Sequence, residues 1–136
     1  MRDRAEGFLS GVRSDMTTQN AKTVLIVDDD ALILESLQEF LETLGYKVLS
    51  AGDGEMAVEL LETESVDIVL TDLILPSMHG ISLLRIAKGL SPERPVVVMT
   101  GYGRRLAEEA VNAGANSFLL KPFSLAELQK VMLELK

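Results

Sequence analysis

Acids, a hydroxyl and an amine all stand at the ends of apolar runs in this chain, and that placement can do chemistry. Asp72 closes the run Val66-Asp67-Ile68-Val69-Leu70-Thr71, and Asp28, Asp29 and Asp30 follow Thr23-Val24-Leu25-Ile26-Val27. Thr100 closes Val96-Val97-Val98-Met99, and Lys121 closes Ser117-Phe118-Leu119-Leu120. In a parallel sheet such strand ends converge on one site. Two carboxylates about 4 Å apart repel by roughly 4 kcal/mol at an effective dielectric near 20, so a gathering of them needs a cation. A hard divalent ion with oxygen ligands suits the arrangement, and Mg²⁺ is favoured over Zn²⁺ because no His or Cys stands nearby in sequence. Beside a metal and the Lys121 ammonium, Asp72 stays ionised and can attack a phosphoryl group, while Thr100 can donate a hydrogen bond to an equatorial oxygen.

Five strand-like runs alternate with helical patterns from Lys22 onward, the signature of a doubly wound α/β sheet. Strands are expected near Thr23 to Asp28, Lys47 to Ala51, Val66 to Thr71, Val96 to Met99 and Ser117 to Leu120. The first, third and fourth are nearly continuous in Val, Ile and Leu, as strands covered on both faces should be. The first helix starts after Asp30 as N-cap, presents Ile33, Leu37, Phe40, Leu41 and Leu44, and stops at Gly45. The second, from about Gly54 to Glu62, is expected to bury Met56, Ala57, Leu60 and Leu61; the third follows Gly80 with Leu83, Leu84 and Ala87. The fourth, about Arg104 to Ala113, has a thin apolar face (Leu106, Ala107, Ala110, Val111), which marks an element that can move. The last opens on the capping box Ser124-Leu125-Ala126-Glu127 and carries Leu125, Leu128, Met132 and Leu135 at helical spacing.

The 136 residues suffice for one domain and are too few for two ordinary ones, and a hydrophobic fraction of 47% fits a globular protein. Residues 1–21 stand apart as a polar segment with scattered Phe8, Leu9, Val12 and Met16. They read as a flexible tail or an appended leader, with room for a short amphipathic helix around Ala5 to Val12. No stretch approaches the roughly 20 apolar residues of a membrane span, and the absence of cysteine agrees with a reducing compartment, so a soluble, cytoplasmic protein is expected. A net charge of −8 without a basic stripe argues against direct nucleic-acid binding.

Val27-Asp28-Asp29, Asp72 with Pro76 and Gly80 behind it, Thr100-Gly101 and Lys121-Pro122-Phe123 together resemble the receiver domain of two-component response regulators, chemotaxis regulators among them, over residues 22–136. The resemblance implies a flavodoxin-like, five-stranded parallel sheet in order 2-1-3-4-5 flanked by five helices. It implies that Asp72 accepts a phosphoryl group from a phosphohistidine of a sensor kinase or phosphotransfer protein. Asp29 would ligate Mg²⁺ directly and Asp28 largely through water, with Asp72 and the main-chain carbonyl of Ile74 as further ligands. Lys121 would pair with the phosphate, and Thr100 would move toward it. Phe118 would switch rotamer with Thr100, altering a partner-binding face made by the fourth helix, fifth strand and fifth helix. The same face could pair two copies of the chain. The resemblance also suggests a cis Lys121-Pro122 bond.

Two places depart from the family's common form. His79 stands where an acidic residue is usual, and reads as an exposed loop imidazole. Ile74 and Tyr102, two residues beyond Asp72 and Thr100, flank the path of the hydrolytic water in this family; both are large here, which predicts slow autodephosphorylation. Asp30 reads as an N-cap and not as a metal ligand, and Arg104, Arg105, Glu108 and Glu109 as a solvated helix face. The chain is expected to be a phosphoacceptor signalling domain and not an enzyme acting on a separate substrate. Two alternatives remain open. A receiver-like binding module would normally have lost Asp72, Lys121 or the acidic pair. A phosphohydrolase of the haloacid dehalogenase type expects Asp-x-Asp after the first strand and a cap. Because the sequence ends just after its last helix, it is expected to act as a stand-alone receiver or to be a piece of a longer regulator.

Overall fold

The computed structural model describes residues 21–135. The tail expected over residues 1–21, with its amphipathic stretch, lies outside them apart from Ala21. Ten elements follow in strict alternation: β1 (Thr23–Val27), α1 (Ala31–Thr43), β2 (Lys47–Ala51), α2 (Gly54–Thr63), β3 (Ile68–Asp72), α3 (Gly80–Leu90), β4 (Val96–Thr100), α4 (Arg104–Asn112), β5 (Ser117–Leu120) and α5 (Leu125–Glu134). The pairings between these strands are all parallel, in the order β2-β1-β3-β4-β5. This is the doubly wound, flavodoxin-like sheet that the alternation and the resemblance led us to expect.

Side-chain alternation divides the core into two layers. Leu25, Val27, Val69, Val96 and Val98 meet Ala57 and Leu61 of α2, Leu83, Leu84 and Ala87 of α3, and Ala110 of α4. Val24, Ile26, Ile68, Leu70, Val97, Met99 and Leu119 meet Leu37 and Leu41 of α1 and Leu128 and Met132 of α5. Each fully buried aliphatic side chain contributes about 1.5–3 kcal/mol. A one-residue slip would exchange the two layers, so the register is strongly specified. That register matters at the top of the sheet: Val27 is level with Thr71, so Asp28 and Asp72 leave adjacent strands side by side. Thr100 is level with Leu120, which places Lys121 one step beyond.

The helix starts explain themselves locally. Asp30 caps α1 by accepting from the N–H groups of Leu32 and Ile33 at 3.0 and 3.4 Å. Asp53 caps α2 through Met56 N–H at 2.8 Å, and Ser124 and Glu127 form the expected capping box on α5. α4 begins after Gly103, whose φ of +98° suits glycine, and no side chain caps it. Three expectations need correction. β3 begins at Ile68, because Asp67 turns its carboxylate back to accept from Thr23 N–H at 2.8 Å. β1 stops at Val27, leaving Asp28 in the loop, and β4 extends to Thr100. Met56, Val111 and Leu125, assigned to apolar helix faces, are exposed at the edges of those faces. Among the described residues no helix is long and apolar enough to cross a membrane.

Candidate functional site

The connections from β1 and β3 lead to opposite sides of the sheet, and a crevice opens between the C-terminal ends of these neighbouring strands. Asp28 and Asp72 stand in it, both buried, with Asp29 exposed beside them; one carboxylate oxygen of each lies within 4.8 Å of the others. Lys121 reaches in from the end of β5 and donates from Nζ to Asp28 Oδ2 and Asp72 Oδ2, each at 2.7 Å. Its own main-chain N–H donates to the Thr100 carbonyl at 2.8 Å, fixing the base of the side chain against β4. The other oxygens are also held: Asp28 Oδ1 accepts from Asp30 N–H at 2.9 Å, and Asp72 Oδ1 from Ile74 N–H at 3.0 Å.

Burial pushes the Asp28 carboxyl above the usual carboxylate range, although Lys121 and the Asp30 N–H oppose it. For Lys121, burial alone would favour the neutral amine, but the hydrogen bonds with Asp28 and Asp72 outweigh it and hold the ammonium above its ordinary pKa. The balance remains uneven, with three carboxylates facing one ammonium. An all-oxygen donor set with excess negative charge fits a hard divalent cation.

Other expected residues take more varied places. Thr100 is buried at the end of β4, and its hydroxyl accepts from Tyr102 N–H at 3.0 Å; it makes no hydrogen bond to the carboxylates. Phe118 is half-buried in β5 with the Arg104 guanidinium 5.4 Å from its ring centroid, so Arg104 belongs to a specific contact and not only to a solvated face. Ile74 and Tyr102 are 41% and 74% exposed. His79 is exposed in the loop before α3, as expected, and its Nδ1 also accepts from Ile81 N–H at 3.3 Å as the N-cap of that helix. The Lys121-Pro122 bond is cis. Gly80, expected as a motif residue ahead of the third helix, also lets α3 approach by its lack of a side chain: a Cβ there would lie 2.5 Å from Leu73 Cα. Beside the site, Leu32, Ile33 and Leu37 of α1 and Lys121, Pro122, Phe123 and Leu125 line an apolar groove of about 580 Å³.

The chain matches the family model described as "Response regulator receiver domain" over residues 24–133. It is 39% identical over 124 residues to the transcriptional regulatory protein PdtaR of Mycobacterium tuberculosis, covering 88% of this chain and 59% of that protein. A cyclic di-GMP phosphodiesterase of Thermotoga maritima is 40% identical over 108 residues, 79% of this chain and 29% of that protein. The chain therefore spans only part of the length of these curated relatives. Among solved structures, a CheY-like receiver domain protein from Methanospirillum hungatei aligns with a TM-score of 0.80 at 34% identity, covering 85% of this chain and 93% of that one. The receiver domain of a Pseudomonas aeruginosa sensor histidine kinase, solved with a magnesium ion coordinated in its active-site cleft, aligns with a TM-score of 0.77 at 30% identity, covering 85% and 97%. With the family model spanning nearly all of the described residues, the chain belongs to the response regulator receiver domain family.

Proposed function

We propose that this receiver accepts a phosphoryl group on Asp72 from a phosphohistidine of a sensor kinase or phosphotransfer protein, in a Mg²⁺-dependent reaction. The observation that carries the reading is Lys121 donating to Asp28 and Asp72 at 2.7 Å in a site where Asp29 adds a further negative charge. Asp28, Asp29, Asp72 and the Ile74 carbonyl would hold the ion. A bound divalent cation would neutralise charge on the transferring phosphoryl oxygens. Asp72 attacks phosphorus through a carboxylate oxygen, the bond from phosphorus to the donor imidazole nitrogen breaks, and the imidazole leaves with the electron pair. Lys121 then exchanges its bond to Asp72 for one to a phosphoryl oxygen. Thr100 offers its hydroxyl proton to another, its oxygen already oriented by Tyr102 N–H.

The apolar groove between α1 and the start of α5 shares Lys121 with this site, which suits it to receive the helix that presents the phosphohistidine. Movement of Thr100 and Phe118 would alter the α4, β5 and α5 face, where a downstream protein or a second copy would bind. The domain then acts in the cytoplasm as a signalling switch and not as an enzyme with its own substrate. Large side chains at Ile74, whose N–H is bonded to Asp72, and at Tyr102, whose N–H is bonded to Thr100, support slow autodephosphorylation. Ile74→Asn should speed loss of the phosphoryl group by about tenfold, or about 1.4 kcal/mol of barrier, by admitting an ordered water; an unchanged rate would remove Ile74 from this role.

Intact mass after incubation with Mg²⁺ and acetyl phosphate tests the main reading. One added phosphoryl group, absent from Asp72→Asn and from a chelated sample, is expected. No addition to folded protein would favour a non-phosphorylated binding module.

A further inference from the structure

We infer that Thr71 is a positioning residue for Asp72, holding that residue's main chain through its hydroxyl so that the carboxylate is presented in one orientation; the inference rests on the function proposed above. Thr71 is fully buried. Alternation along β3 puts it in the layer of Val69 and Leu73, level with Val27 of β1 and Val98 of β4, all of them buried and apolar. A valine would fill the same volume and bring no polar atom to satisfy. The sequence instead places a hydroxyl in the dry layer beneath the site. Among the described residues its one hydrogen bond is a donation to the main-chain carbonyl of Asp72 at 2.9 Å.

The same carbonyl is confined from another side by Gly80. A Cβ at that position would lie 2.7 Å from the carbonyl oxygen, and Gly80 N–H donates to the next carbonyl, that of Leu73, at 2.8 Å. The peptide between Asp72 and Leu73 is thus held at its carbonyl by a hydroxyl and by close packing, and at its N–H by donation to the Met99 carbonyl at 2.9 Å. Its plane sets the path of the carboxylate, because Asp72 Oδ1 folds back across it to accept from Ile74 N–H at 3.0 Å. A buried polar group that packing does not need, bonded to the residue that carries the chemistry, is a departure from local folding logic of the kind found at working sites.

Thr71→Val and Thr71→Ser separate the hydroxyl from the packing. The valine variant should stay folded with a modest loss of stability from the unpaired Asp72 carbonyl, and its rate of phosphorylation by acetyl phosphate should fall by about three- to tenfold, the effect of one neutral hydrogen bond. The serine variant should lose thermal stability with its methyl group and keep a rate within about twofold of wild type. A valine variant phosphorylated at the wild-type rate overturns the inference, as does a serine variant that falls equally far. If wild type itself gains no phosphoryl group, the functional reading fails separately, and hydrogen exchange at the Ile74 amide decides. Protection lost with valine and kept with serine upholds the positioning; equal protection in both refutes it.

Discussion

The two ends of the sheet use the same kinds of side chain in opposite ways. At the N-terminal ends of the strands, Asp67, Arg94 and Lys88 each form hydrogen bonds with neutral groups. Asp67 accepts from Thr23 N–H at 2.8 Å, and Arg94 donates to the carbonyls of Val66 and Ala87 at 3.1 and 3.2 Å. Lys88 donates to Asn116 Oδ1 at 2.7 Å, and the same oxygen accepts from Val96 N–H at 2.9 Å. Burial lowers the pKa of Lys88, and lowers that of Arg94 against the opposing pull of Asp67. These bonds tie loops to strands and leave no crowded charge. At the C-terminal ends, three carboxylates crowd around one ammonium, and the buried Asp28 carboxyl is pushed toward its neutral form. One end closes the fold; the other holds unbalanced charge that a cation and a phosphoryl group can use.

Substitutions at the two ends should therefore separate stability from chemistry. The largest effect is expected from Lys121→Met, which removes the only cation in contact with Asp28 and Asp72 among the described residues. The rate of phosphorylation by acetyl phosphate should fall by about a hundredfold or more. Rates close to wild type would mean that the ammonium only balances charge in the resting state. Next, Arg94→Ala leaves the Val66 carbonyl without its side-chain donor, while the Ala87 carbonyl keeps Ser91 N–H, and should cost about 1–3 kcal/mol in denaturant unfolding. Its phosphorylation rate should stay unchanged, and a parallel loss of rate would break the division between the ends. The smallest effect has the opposite sign. Asp28→Asn should raise the metal-free thermal midpoint by a few degrees, because it makes permanent the neutral form that burial favours. Added Mg²⁺ should then stabilise wild type and not the variant; lower stability without metal would show that the bond to Lys121 outweighs the crowding.

Much of the fold was legible because strands covered on both faces must be nearly continuous in aliphatic residues, as Thr23 to Val27 and Val96 to Met99 are. Asp30 and Ser124 announced their helices because capping is local chemistry. The start of β3 was misread since Asp67 answers to Thr23, 44 residues away, a partner that no local pattern reveals. Met56 and Leu125 lie at the margins of amphipathic faces, where helical spacing alone does not separate core from rim. The strand ends that form the site could be named from sequence, but the sharing of Lys121 between Asp28 and Asp72 depends on register across the sheet. The cap made by His79 was missed because a neutral imidazole accepts a hydrogen bond only in one tautomer and is rarely read as a cap. Threonine is ordinary in strands, so Thr71 became conspicuous only when its neighbours proved wholly apolar.

The central claim is that Asp72, and no other carboxylate of the crowded end, carries the phosphoryl group. Borohydride reduction of the phosphorylated protein converts an aspartyl phosphate to homoserine, and peptide mass mapping then locates the altered residue. The account predicts homoserine at position 72 alone, formed only when Mg²⁺ is present. Homoserine at 28 or 29, or a phosphoryl group retained on His79, would contradict it.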